Sequence, residues 1–248
     1  ELVRGLSSVI REEIPITGGL AGDADRFETT YVACNGAPES HLVAGIGFYG
    51  DAVDIGFGSF GGWDAFGPTR RITKAEDNVL YELDGKPALS LYKQYLGDQA
   101  DHLPGSALLF PLSIYRDGEE DRQLVRTILS IDEDEQSMTF AGDIPVGHSA
   151  QLMMANFDRL VDGASEAARR ITRSEQERTQ LAVLISCVGR KIVLGQRTCD
   201  EVENVQEVLG EGTHQIGFYS YGEISPQRTM GHCELHNQTM TITLLSEA

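Results

Sequence analysis

The sequence predicts an α/β fold in which mixed β-sheets are flanked by outer helices, arranged as two intimately associated, related halves. Three observations predict it. Apolar residues recur at spacings of three and four in several segments, short β-prone runs alternate with those segments, and one helix–strand–turn–strand unit occurs twice. The 248 residues suffice for one large domain or two small ones with a buried core.

The first stripe is Leu2, Val3, Leu6, Val9 and Ile10, closed by Pro15. From there to about Tyr81 the chain predicts short strands at Glu28–Cys34, Leu42–Phe48, Val53–Phe57 and Val79–Leu83, punctuated by glycine. Pro87 suits the first position of a helix whose Leu89, Tyr92 and Leu96 share a face, and Gly97 suits its end. The polar segment Gln99–Gly105 marks a domain boundary, giving regions 1–98 and 99–248. After it, Leu108–Tyr115 predicts a strand, and Leu124–Ile131 with Ser137–Phe140 predict a hairpin around an acidic turn. Phe157, Leu160, Val161, Ala164, Ala167, Ala168 and Ile171 form the stripe of a long helix with Asn156 as its N-cap. Leu181–Cys187 is continuously apolar, as a strand covered on both faces would be. A further helix carrying Val202, Val205, Val208 and Leu209 stops at Gly210. The repeated unit pairs Ile16–Asp23 with Ile216–Glu223, each ahead of a Thr-rich strand.

Charge and cysteine usage exclude several classes. A formal charge of −18 and a pI near 4.6 repel phosphate backbones and anionic lipid, so nucleic acid and membrane surfaces are poor partners. No apolar run approaches the ~20 residues of a membrane-spanning helix. Cys34, Cys187, Cys199 and Cys233 are too far apart for a zinc site or a disulfide framework. Thiols in a chain of this size point to a reducing, cytoplasmic compartment.

Two literal G-x-G-x-x-G matches, Gly45–Gly50 and Gly56–Gly61, run into Asp51 and into Gly62-Trp63, with no helix for a pyrophosphate to cap. A nucleotide role is therefore rejected. Cys187, at a strand end before Val188-Gly189-Arg190, is the one thiol whose setting favours a thiolate, through a following helix and Arg190. His232, Glu234 and His236 alternate, so on a strand they would share a face. Tyr219 and Tyr221 share another, with Glu223 following, an arrangement that suits a small amphipathic ligand. A concave pocket lined by Cys187, Arg190, Tyr221 and His236 would favour ligand sensing, and Tyr221 and His236 are expected to belong to one functional site.

Six segments in order resemble the FIST family of intracellular signal-transduction sensory domains. They are Gly18-Gly19-Leu20-Ala21-Gly22-Asp23, Leu83–Ala88, Phe140–Pro145, Ser186-Cys187-Val188-Gly189-Arg190, Gly217–Ile224 and Leu235-His236-Asn237-Gln238-Thr239-Met240-Thr241. The resemblance implies a cytoplasmic sensory domain, bacterial in its best-known settings, that binds a small ligand such as an amino acid and has no catalysis of its own. It implies a signalling protein such as a histidine kinase as partner, and some members are haem proteins that sense nitric oxide. It adds Gly22, Asp23, Gly189 and Asn237 to the ligand-binding candidates. The family's N-terminal region normally carries further strand–helix units before Gly18, so a truncated chain is expected. Rival expectations are a Cys187-dependent hydrolase or transferase and a ligand-free protein scaffold.

Overall fold

A computed structural model describes every residue except 12, 25, 120–122, 172–179, 227–232 and 248. In chain order the first elements are α1 (Leu2–Ser7), β1 (Gly18–Gly19), β2 (Val53–Phe60), β3 (Asp64–Ala65), β4 (Arg70–Glu76), β5 (Val79–Leu83), β6 (Lys86–Pro87) and α2 (Ala88–Leu96). There follow β7 (Leu112–Tyr115), β8 (Leu124–Arg126), β9 (Ile128–Asp132), β10 (Ser137–Phe140), β11 (Ser149–Met154), α3 (Phe157–Arg169) and β12 (Gln180–Cys187). The chain closes with α4 (Val188–Leu194), α5 (Thr198–Leu209), β13 (Thr213–Ser220), β14 (Glu223–Pro226), β15 (Cys233–His236) and β16 (Met240–Glu247). The fold is thus mixed α/β, as the sequence predicts. It divides into two compact units, one of residues 1–61, 161–235 and 239–248, the other of residues 62–160 and 236–238.

The first unit is built on a four-stranded sheet in the order β13-β12-β16-β2. β12 and β13 run parallel, joined by a crossover through α4 and α5, while β16 is antiparallel to both β12 and β2. Its core is Ala164, Ala167, Ala168 and Ile171 of the α3 segment with Val205 and Leu209 of α5, packed on Ala182, Leu184, Met240, Ile242 and Leu244. Small residues let α3 lie close to the sheet: a Cβ at Gly58 would sit 2.1 Å from the Ala167 carbonyl oxygen. Side chains on the sheet's other face are less covered, with Leu181 39%, Ile216 62% and Phe218 47% exposed. The expectation that β12 is covered on both faces therefore holds for its second half, Leu184–Cys187, and not for its start.

A three-stranded sheet, β1-β14-β15, sits in chain order around the repeated unit. The two copies bond to one another: Gly18 pairs with Ile224 and Gly19 with Glu223, and the Leu20 N–H donates to the Gly222 carbonyl at 2.9 Å. The Thr-rich strand predicted after the first copy does not form. Glu28–Cys34 and Leu42–Phe48 are irregular, with one bridge between Val32 and Glu39. Among the described residues neither segment pairs with a strand edge, and alternation without an edge cannot satisfy the backbone as a ladder.

The second unit carries a nine-stranded sheet with the path β8-β7-β11-β4-β5-β10-β9, to which β3 and β6 add short pairings. The β9–β10 hairpin forms as predicted, around a turn in which Asp132 Oδ1 accepts from the Asp134 and Glu135 N–H groups. Its core gathers Leu89, Tyr92 and Leu96 of α2 with Ile72, Leu80, Met138, Phe140 and Leu152. Asn156 caps α3, accepting from the Arg159 N–H at 3.3 Å. Residues 99–105 lie inside this unit.

Candidate functional site

The sequence-predicted residues fall into three clusters. At the carboxyl ends of the parallel pair, β12 passes into α4 with Cys187 as the N-cap residue. One turn into α4, the Arg190 side chain is fully buried and pairs with Glu201 of α5, whose side chain is also 0% exposed. Nε and Nη2 donate to Glu201 Oε2 at 3.1 and 2.9 Å, and Nη1 donates to the Gly61 carbonyl at 2.5 Å. Glu201 Oε1 accepts from Ser186 Oγ at 3.1 Å and Tyr219 OH at 2.8 Å. Burial and the Glu201 carboxylate push the Tyr219 phenol upward, so it stays protonated and keeps donating. Cys187 is buried, as are Gly189 and Arg190. The parallel strand pair places Ser186 beside Tyr219, which is why residues of two strands converge on one α5 carboxylate.

Glu223 begins β14 and is fully buried. Its Oε1 accepts from Ser220 Oγ at 2.7 Å, and its Oε2 accepts from the Thr239 N–H at 3.2 Å and Thr239 Oγ1 at 3.0 Å. Burial raises its pKa to about 8; the Ser220 and Thr239 hydrogen bonds and the Arg190 charge pull the other way. A carboxyl group that titrates near neutrality is a feature of functional sites.

The second cluster closes the loop after β1. The Tyr221 hydroxyl donates to Asp23 Oδ1, while Asp23 also accepts from the backbone N–H groups of Phe27, Glu28 and Thr29 at 3.1, 2.9 and 3.1 Å. The Tyr221 bond and then the Glu28 N–H hold the Asp23 carboxyl down to about 2. Phe27 stacks on the Tyr221 ring at 4.8 Å, and a Cβ at Gly22 would meet that ring at 3.1 Å. Gly22, Asp23 and Tyr221 thus form a closed clasp.

His236 and Asn237 belong to the second unit, His236 as the last residue of β15 and Asn237 in the bend that follows. His236 is 5% exposed and Asn237 1%. Among the described residues no group of three or more His, Cys, Asp or Glu side chains is placed to hold a metal ion. His232, of the alternating set with Glu234 and His236, lies outside the described residues. Neither glycine motif opens a helix: Gly45–Gly50 is irregular and Gly56–Gly61 runs along β2.

Sequence reasoning missed Glu201, Ser186, Ser220, Thr239 and Gln238. Glu201 reads as one more acid in a helix first turn, and only its position on the Val205–Leu209 stripe hints that it faces inward.

With this geometry in hand, comparison defines the class of protein. The model of the FIST N domain matches residues 1–86 and that of the FIST C domain matches residues 88–226. The chain belongs to the FIST family, whose domains are associated with signal-transduction sensing. An uncharacterised protein of Methanocaldococcus jannaschii is 26% identical over 238 residues, covering 85% of this chain and 45% of that relative. The chain therefore spans less than half of that protein's length. No solved structure matches.

Proposed function

We propose that this protein senses a small ligand and passes its bound state to a protein partner, without turning the ligand over. The observation that carries the reading is the concentration of Arg190, Glu201 and Glu223, all fully buried, around the carboxyl ends of β12 and β13. Buried charges cost stability, and the carboxyl end of parallel strands is where α/β sheets place ligands. The acids here are saturated with donors from their own unit, which supports holding and positioning rather than general-base work on Cys187. The ligand is a metabolite such as an amino acid, the partner a signalling protein such as a histidine kinase, and the compartment the cytoplasm. Among the described residues no helix is long and apolar enough to cross a membrane.

Native mass spectrometry of the purified protein, with thermal-shift measurements across a metabolite panel, tests this. A retained small molecule, or a melting-temperature rise of several degrees that follows ligand concentration, is expected. An empty spectrum with a flat panel rejects the reading. Turnover of any panel compound that disappears with Cys187→Ser would favour the enzyme instead.

A further inference from the structure

The bend between β15 and β16 holds buried amide groups that find no partner within the described chain. Gln238 is 0% exposed, and neither its Oε1 nor its Nε2 has a hydrogen-bond partner. Asn237 is 1% exposed; its Nδ2 donates to the His236 carbonyl at 3.0 Å while its Oδ1 has none. Each such atom forgoes the hydrogen bonds it makes with water in the unfolded chain, and native proteins keep few of them. The backbone adds to the cost. Gln238 has φ +60°, the left-handed region that a long side chain avoids. That conformation is pinned from the same unit, because the buried Trp63 indole donates its Nε1–H to the Gln238 carbonyl at 2.9 Å. Strained, over-determined residues with unmet polar groups gather at ligand clamps.

We propose that Asn237 and Gln238 form a subsite for the neutral carboxamide or urea-type group of a small ligand, which rests on the sensing reading above. The donor set fixes the chemistry. Two carbonyl oxygens, Asn237 Oδ1 and Gln238 Oε1, await N–H or O–H donors, and one amide nitrogen, Gln238 Nε2, awaits an acceptor. A primary carboxamide supplies both, its NH2 to the oxygens and its oxygen to the nitrogen. A carboxylate would set two acceptors against two acceptors, and none of the three atoms carries a charge to compensate it. An ammonium would leave Nε2 unmet. The competing occupant is ordered water, which also both donates and accepts.

Ligand-observed NMR on the wild-type protein separates these, with acetamide and methylurea as probes and acetate as the isosteric anion. Saturation transfer to both amide probes and none to acetate is expected. Gln238→Leu should weaken the amide probes about tenfold, the worth of one net hydrogen bond. Its melting temperature should match or exceed the wild type's, because the substitution removes orphaned polar atoms. Equal binding of acetamide and acetate, or binding of neither, would overturn the subsite and leave water in the corner. If Gln238→Leu fails to fold, the amide-against-acetate comparison on the wild type still decides. A molecule retained equally by wild type and Gln238→Leu would overturn the subsite while the sensing reading stands. A flat metabolite panel together with silent probes would overturn both.

Discussion

Glu223 and Asp23 couple the fold to pH in opposite directions. The Glu223 carboxyl has an ordinary pKa of 4.5, which burial raises to about 8 in the folded chain. Between those values the native state holds a proton that the unfolded state has released, so stability falls as pH rises, by up to about 1.4 kcal/mol per pH unit. Asp23 is held down to about 2 from 3.8, so its contribution is present above 3.8 and lost as pH falls toward 2. Urea midpoints measured from pH 4 to 9 should therefore decline between about pH 4.5 and 8 and level off above that. Glu223→Gln should flatten the decline, and an unchanged slope in that variant would assign it to other groups. Arg190 makes a second residue-scale prediction. Arg190→Met leaves the Glu201 carboxylate buried with donors from Ser186 and Tyr219 but without the Arg190 cation, and should cost about 3–5 kcal/mol by chemical denaturation. At this scale the sequence pointed at Arg190, Tyr219 and Glu223 through their motifs. It could not show Glu201 or Gln238, because a helix acid and a turn amide look alike whether buried or solvated.

Elements with a strong period were legible, and those depending on a distant edge were not. The stripes of α2, α3 and α5 and the apolar run of β12 each carry their burial in their own residues, and each forms close to its predicted bounds. β4 was missed because Arg70-Arg71-Ile72-Thr73-Lys74-Ala75-Glu76 has a single large apolar residue; pairing with β5 and β11 makes it a strand. Glu28–Cys34 and Leu42–Phe48 erred the other way. They have strand-like composition, yet Tyr31 is 61%, Val43 64%, Ile46 84% and Phe48 54% exposed, since no described edge receives them. The glycines of β2 show how composition misleads about function and informs about packing. Gly58 is where α3 rests on the sheet, so Gly58→Ala forces the Ala167 carbonyl to move. A loss of about 2–3 kcal/mol is expected, as for overpacking elsewhere. Gly45→Ala, where an added Cβ meets nothing within 4 Å, is the control and should change the denaturation midpoint little.

At the scale of the molecule, the four thiols divide by burial in a way that reports how the chain opens. The sequence singles out Cys187 as the thiol whose setting favours a thiolate, and so as the fastest to alkylate if that strand end is open. The structure reverses that order. Cys187 is 4% exposed and Cys233 8%, whereas Cys34 and Cys199 are exposed. Cys233 is further protected because burial raises its thiol to about 12, and its Sγ lies 3.3 Å from the Ile16 carbonyl oxygen, so little thiolate exists at neutral pH. Cys34 and Cys199 should therefore alkylate at rates near those of simple thiols, while Cys187 and Cys233 wait for an opening event. If the first unit unfolds as one cooperative body, the slow pair should share a single rate. Their common protection factor would equal the closed-to-open ratio, about a thousandfold or more for a domain of ordinary stability. Iodoacetamide labelling followed by peptide mass mapping gives the four rates. A Cys233 rate far above that of Cys187 would mean that β15 detaches from its neighbours while β12 stays paired. Cys187 reacting alongside Cys34 and Cys199 would restore the open strand end, and with it the thiol as a group that ligands can reach.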